Sequence, residues 1–459
     1  MAQTQMPVQD QQFSPHGDSR ENRTRNVNLP QGNDTQDWKA LPNDTLDQYK
    51  VNYPEQAESL QTIFNRLQAL KTFVDSNSNH PDEFYKVATQ TVNGLRKTSV
   101  QSGMSAGTPE ADQFTTLLDF TVDVGGVEEL KRFMQYCFEE YYVLEKESDN
   151  NTTKAESKKY RACCACLFNT LAIIQNFADF HQGFCSACVN AGVISMCLEN
   201  VKRIDAENLN WEEGDEDSEP VIIIDSCLGI LYNISQRFKN RDLFANSLET
   251  LLCLAKKNLR EIAAHSLLTL AYLVDENTNH LILAEETLLS FIITLLDEAW
   301  QSEERRSIGY TVKELAEGLS HLAINDTNKK ILGQKGATRV LISVIKTSSE
   351  DAEKVSAIKA LWMLAFDDNN KKAIRQEDGA VGLLRNLQDS KDSQVQRAAA
   401  GALWEVEGKT ARHAERTEST GNHVMISYQW DSQEVLIEVK NRLQASGYRV
   451  WMDLEQMRG

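Results

Sequence analysis

The chain repeats itself with a period of about 40 residues, and this confines its fold more than any other feature. LSHLAINDTNKKILGQKGATRVLISVI (Leu319 to Ile345) returns as LWMLAFDDNNKKAIRQEDGAVGLLRNL (Leu361 to Leu387), and LWEVEG opens a third copy at Leu403. Leu322, Leu364 and Val406 are equivalent positions, 42 residues apart each time. Leu270, Ile234 and Leu171 take the same place upstream, at less regular spacings of 52, 36 and 63 residues. A helical unit of this length cannot bury its own apolar faces. It buries them only against its neighbours, so the expected product is an α-solenoid, a curved rod with a long groove.

Helical periodicity begins before the clear repeats. Leu60, Ile63, Phe64, Leu67 and Leu70 form one apolar stripe, and further stripes follow at Phe114 to Phe120, Leu130 to Leu144 and Ala162 to Phe177. Few strand signals precede residue 420. The expected organisation is a disordered polar arm over 1–52, degenerate helical repeats over 53–224, regular repeats over 225–408, a linker over 409–422 and a distinct segment over 423–459. The arm has too few apolar anchors to offset the entropy of ordering. The degenerate region carries an acidic loop over 204–220, with six acidic side chains among the eight from Glu212 to Glu219. It lacks the alternate spacing and the closing Glu of a calcium loop, so a solvated loop is expected. Glu407 to Asn422 contains no large apolar residue, as a linker or frayed helix end requires.

Charge and cysteine usage narrow the function. The 459 residues carry a net charge of −19 and a pI near 5.0, which argues against duplex nucleic acid and anionic membrane surfaces as partners. No continuous apolar run reaches the roughly 18 residues of a membrane span, and MAQTQMPVQDQQ lacks a signal-peptide pattern. Nine cysteines suit reduced, buried thiols in the cytoplasm better than a disulfide framework. Cys163, Cys166, Cys185 and Cys188 have a zinc-site spacing, C-x2-C twice. The first pair sits in RACCACLFNTLAII, which reads as continuous helix. Cys164 also aligns with Ala357, so small buried hydrophobes are the expected role and zinc the weaker alternative. The scattered histidines form no triad and no Gly-rich phosphate loop appears, so the helical body is not expected to be an enzyme.

The repeats resemble armadillo repeats. Asn328 and Asn370 stand in the turns, Gly336-Ala337 and Gly379-Ala380 open middle helices holding Leu341 and Leu384, and Ala360-Leu361 and Ala402-Leu403 lie in third helices. Many armadillo peptide binders carry an asparagine ladder on the third helices. Here that position reads Asn233, Thr269, His321, Met363 and Glu405, so a carrier of basic peptides is not expected. Trp362 and Trp404 either line a binding surface or pack between third helices.

The segment from His423 reads as β–α–β, the start of a doubly wound α/β unit. Val424 to Tyr428 is β-prone and apolar, Asp431 and Glu434 suit a capping box, Leu436, Val439 and Leu443 share a helix face, and Arg449 to Asp453 is a second strand. VMISYQWD and VWMDLEQMRG in this setting resemble the opening of a TIR (Toll/interleukin-receptor) domain, an incomplete flavodoxin-like unit. The whole chain is therefore similar in architecture to armadillo–TIR NAD hydrolases. That resemblance implies a signalling role in innate immunity or cell death, with NAD as the substrate of a complete TIR. It places Tyr428, Gln429 and Trp430 in a nucleotide-side loop, and Asp453, Leu454, Glu455, Gln456, Met457, Arg458 and Gly459 in an assembly loop. It implies other TIR domains, groove-binding proteins and further copies of the chain as partners. The family's catalytic glutamate lies beyond the second strand, so this chain is expected to regulate and bind rather than hydrolyse, as a fragment, a truncated gene model or a short isoform. The alternative is a non-enzymatic armadillo adaptor.

Overall fold

The computed structural model describes residues 41–76, 82–100, 108–147, 157–207, 217–238, 241–273, 286–407, 423–426, 436, 439–440, 442–444 and 449–452. The chain forms two compact units, Met1–Lys335 and Gly336–Gly459.

Among its described residues the first unit is helical apart from one hairpin. It contains α1 (Asn43–Asn52), α2 (Ala57–Asp75), α3 (Asp82–Val100), α4 (Pro109–Asp123), α5 (Gly126–Glu147), α6 (Lys158–Phe180), α7 (Gln182–Ala191) and α8 (Val193–Glu207). After these come α9 (Glu219–Arg237), α10 (Leu248–Ala255), α11 (Arg260–Leu273) and α12 (Glu286–Gln301). The hairpin of β1 (Arg306–Ser307) and β2 (Tyr310–Thr311) leads into α13 (Val312–Leu322) and α14 (Asp326–Gln334). Helix α3 packs on α6, α6 on α9, α9 on α11, and α11 on α13. Leu171, Ile234, Leu270 and Leu322, the equivalent positions of the repeat, are all buried in these helices. Each such leucine or isoleucine contributes about 1.5–3 kcal/mol by leaving water.

The second unit holds two turns of the regular repeat: α15 (Ala337–Thr347), α16 (Asp351–Leu364), α17 (Asp368–Gln376), α18 (Ala380–Leu387) and α19 (Ser393–Glu407). Helix α16 packs on α19, with Leu364 and Val406 buried. Gly336 (φ 92°) and Gly379 (φ 72°) adopt the left-handed conformation where a first helix ends and a middle helix starts. An L side chain there would clash with its own carbonyl, which is why the repeat keeps glycine. Asn328 and Asn370 are buried in the first turns of α14 and α17 rather than in the loops before them. Asn370 Nδ2 donates to the Leu364 carbonyl at 3.2 Å, tying the end of one third helix to the next first helix.

Strands β3 (His423–Ile426) and β4 (Arg449–Met452) pair in parallel, Val424 opposite Val450. A parallel pair requires a crossover, and Leu436, Val439, Lys440 and Arg442 to Gln444 lie in helical turns between the strands. Val439 is 39% exposed whereas Lys440 is buried, so Val439 does not lie on a covered helix face as the spacing of Leu436, Val439 and Leu443 suggests.

Four sequence expectations change. The arm does not extend to residue 52, because α1 forms there and Leu46 is buried. The acidic loop narrows, since α8 runs through Glu207 and α9 starts at Glu219. The β1–β2 hairpin had no strand signal beyond its two-residue arms. Helix α6 is long and apolar enough to cross a membrane by length and composition (mean hydropathy 1.3), yet that stretch is 67% buried inside the fold, as a core helix is. The remainder of the acidic loop, the linker over 409–422 and the Asp431–Glu434 cap lie outside the described residues.

Candidate functional site

The third helices of the first unit bring polar and aromatic side chains into one continuous row. From α9, Asn233 Nδ2 donates to the Gln175 carbonyl of α6 at 2.9 Å, and Arg237 donates to the Asp179 carbonyl. Asn233 is thus the ladder asparagine, but its amide is spent on a neighbouring helix. Thr269, next in the ladder, donates to the His265 carbonyl of its own helix at 2.7 Å and is buried. His321 follows, with its ring 4.6 Å from that of Tyr272. Tyr272 OH donates to Glu317 at 3.4 Å.

Beneath this row lies a buried aromatic and carboxylate cluster built partly by the hairpin. The Tyr232 ring meets Tyr272 at 6.0 Å and Tyr310 at 5.0 Å, nearly perpendicular to the latter. The capping box that starts α13 holds Glu314: Thr311 N and Oγ1 donate to its Oε2 at 2.9 and 2.7 Å, and the Glu314 amide donates back to Thr311 Oγ1 at 3.2 Å. Tyr232 OH donates to its other oxygen at 3.4 Å. His265 Nδ1 lies 2.8 Å from Asp225 Oδ1 and 3.2 Å from the Glu261 carbonyl.

Burial governs the electrostatics here. Asp179 is pushed up to about 7 by desolvation, and Glu314 adds to this against Arg237, Arg306 and Lys313. Burial pulls His265 down, but Asp225 and the Glu261 carbonyl outweigh it, so its imidazolium is held above the usual range. Tyr232, Tyr272 and Tyr310 are held as phenols by burial and the nearby carboxylates. Tyr272, Glu317 and His321 are partly exposed and can meet a ligand; Asn233, Thr269, Tyr232, His265, Tyr310 and Glu314 are buried support. The arrangement sets no base beside an activated nucleophile.

In the second unit, Glu405 accepts from Lys371 at 2.6 Å. A Cβ at Gly401 would fall 2.4 Å from the Trp362 ring, so that indole packs against α19. Packing between third helices is therefore its role, the second of the two sequence readings. The ladder position in this unit is left to Met363 and Glu405, both partly exposed.

The four cysteines of the zinc spacing do not converge. Cys163 Sγ donates to the Cys137 carbonyl at 3.5 Å and Cys185 Sγ to the Ala178 carbonyl at 3.0 Å, while Cys166 pairs with Thr89 at 3.3 Å. Burial pushes Cys166 up to about 11 and Cys185 to about 12. Among the described residues no group of three or more His, Cys, Asp or Glu is placed to hold a metal. Tyr428, Gln429 and Trp430, and the run from Asp453 to Gly459, lie outside the described residues. The buried cluster escaped the sequence reading because its members come from four separate elements; the capping signature T-x-x-E at Thr311 to Glu314 was the one local clue.

These features define a helical repeat protein of three-helix units. The family model of the Armadillo/beta-catenin-like repeat matches residues 367–406, from the N-cap of α17 to the end of α19. Residues 367–406 therefore form an armadillo-like repeat, within a mainly helical, solenoid-type chain. No curated protein matches it. Among solved structures, an engineered protein is 19% identical over 79% of this chain and 78% of that one, with a TM-score of 0.41. A designed armadillo repeat protein is 15% identical over 74% of this chain and 98% of the other, with a TM-score of 0.32. Another designed armadillo repeat protein, solved in complex with the peptide (KR)4, is 15% identical with the same coverage and a TM-score of 0.30. The fold assignment rests on the helices and the family model.

Proposed function

We propose that this protein is a non-enzymatic interaction scaffold whose third-helix row receives protein ligands. One observation supports the reading: on the third helices of the first unit the ladder position ends at partly exposed His321, whose ring lies 4.6 Å from Tyr272 beside Glu317, rather than in a catalytic set. Extended peptides are held by such rows through side-chain contacts at regular spacing, and area without chemistry suits binding. The expected specificity is not that of an asparagine ladder, because Asn233 and Thr269 are committed within the fold. The test is crosslinking of the full chain to partners in extract, repeated with His321→Ala and Glu317→Ala. Loss of specific crosslinks supports the row; crosslinks unaffected by both substitutions sink it.

A second reading rests on the parallel β3–β4 pair, an arrangement that suits the start of an α/β unit and therefore the TIR resemblance. On this reading the segment pairs with other TIR domains, in a pathway whose complete TIR domains cleave NAD. Co-elution of the full chain with an isolated TIR domain is expected, with nicotinamide release followed in the same mixture. Failure to associate at micromolar concentration ends this reading and leaves the scaffold reading intact.

A further inference from the structure

A groove of about 660 Å³ lies between α5 and α8, away from the third-helix row. Helix α8 is the middle helix of its repeat, and α5 precedes third helix α6 in the same way. The groove's base is apolar: Phe138 and Tyr142 are buried beneath it, Met196 lines it, and Val143 is 50% exposed at its edge. Its seam is fixed in advance. Tyr142 OH donates to Asn200 Oδ1 at 2.9 Å, Asn200 Nδ2 donates to the Met196 carbonyl at 2.8 Å, and the Arg203 guanidinium lies 3.3 Å above the Tyr142 ring.

The charge around this apolar base runs against the rest of the chain. Lys131, Lys146 and Arg203 line it, against Glu139 and Glu199. Lys131 contacts Gln135 at 3.4 Å, and neither Lys131 nor Lys146 has a carboxylate in ion-pair reach among the described residues. Glu139 is already bonded by Gln135 at 2.9 Å. A protein of net charge −19 here sets two ammonium groups beside exposed apolar surface. Ammonium groups at a groove rim attract anionic partners, and a groove between two helices with an apolar base suits the apolar face of a third. The volume is within the ordinary range of a ligand site, about 300–1,000 Å³.

We infer that the α5–α8 groove docks an acidic amphipathic segment of a partner protein, its apolar face against Val143, Tyr142 and Met196 and its carboxylates toward Lys131, Lys146 and Arg203. This is independent of the third-helix reading, since no residue is shared.

The experiment selects displayed helical peptides on the full chain, then measures the recovered peptides by fluorescence anisotropy against variants. Peptides rich in Asp and Glu, with apolar residues about three or four apart, are expected. Lys131→Glu with Lys146→Glu should weaken them at least about tenfold, as should Val143→Asp, and so should raising salt from about 0.01 to about 0.1 M. All three side chains reach solvent, so folding should persist, and thermal melts by circular dichroism check this. Recovered peptides without acidic enrichment, or insensitive to both variants, overturn the proposal. Peptides that respond to His321→Ala but not to the groove variants belong to the third-helix row and overturn it equally. A dimer in sedimentation that Val143→Asp dissolves would assign the groove to a second copy. Acidic peptides that bind only after Glu212, Glu213, Asp215, Glu216 and Asp217 are neutralised would assign it to the chain's own acidic run.

Discussion

Two titratable side chains, half-buried Asp179 and buried His265, give this fold a stability that declines as pH rises, through different windows. Asp179 keeps its proton in the folded state up to about pH 7, whereas an ordinary carboxyl releases it near 3.8. The folded state therefore binds more protons than the unfolded state between those values, and stability falls as pH rises across them. Asp179→Asn should flatten this slope in urea unfolding and raise stability above about pH 7, where the native carboxyl is ionised against desolvation. A slope unchanged in the variant would assign the effect elsewhere. His265 acts higher on the scale. Its folded value is raised above 6.5, so its contribution is fully present below 6.5 and is lost as pH rises through the folded value. Asp225→Asn, which removes the carboxylate 2.8 Å away, should destabilise most on the acid side and little in alkaline solution. Equal loss at both extremes would mean that Asp225 matters for packing alone. Neither residue stood out in the sequence, because each becomes unusual only when α6, α9, α11, α13 and the hairpin meet.

The individual elements were largely legible, since their ends are marked by local chemistry. Asn325 and Asp367 occupy the same N-cap position, 42 residues apart, before α14 and α17. Asn325 Oδ1 accepts from Thr327 N at 2.8 Å and Asn328 N at 3.1 Å; Asp367 Oδ1 accepts from Asn369 N at 3.0 Å and Asn370 N at 3.1 Å. Each carboxyl or amide oxygen thus satisfies two amides that the helix leaves unpaired. Asn325→Ala and Asp367→Ala should each cost about 0.5–2 kcal/mol, read as a fall in the denaturation midpoint. A cost below about 0.3 kcal/mol for both would mean that water replaces the caps. The elements that escaped notice are those whose cause is tertiary. Helix α1 has a weak apolar stripe and persists because Leu46 is buried and Tyr49 sets its ring 5.2 Å from that of Phe120. The β1–β2 hairpin is too short for an alternating pattern. It turns through Ile308 and Gly309, both at positive φ, and is held by Tyr310, whose ring enters the Tyr232–His265 cluster.

At the scale of the whole molecule, periodicity fixed the repeat and its buried positions because stacking forces the same residue to face a neighbour in every copy. Cysteine spacing is less informative, because spacing along a helix does not decide where thiols point. Net charge is the remaining whole-chain property, and it leads to a measurable sign. At pH 7 the chain carries −19, and like charge held in a compact volume opposes folding. Ion pairs oppose that repulsion. Most of those here have at least one exposed partner, such as Arg260–Glu298 at 2.7 Å and Lys335–Glu286 at 2.9 Å, and exposed pairs contribute about 0–1 kcal/mol each. The network of Lys71, Glu129, Arg132 and Asp75 is better shielded, with Lys71 and Glu129 buried, but it is one site. Salt screens both kinds of interaction, and the unbalanced excess of acid is the larger sum. Raising sodium chloride from about 0.01 to about 0.1 M shortens the screening length from about 30 to about 10 Å. At pH 7 the thermal midpoint should therefore rise across that range. Near the pI of 5.0 the excess vanishes and the gain should disappear. A midpoint that falls with salt at pH 7 would show that the ion pairs, and not the excess charge, set the electrostatic contribution to stability.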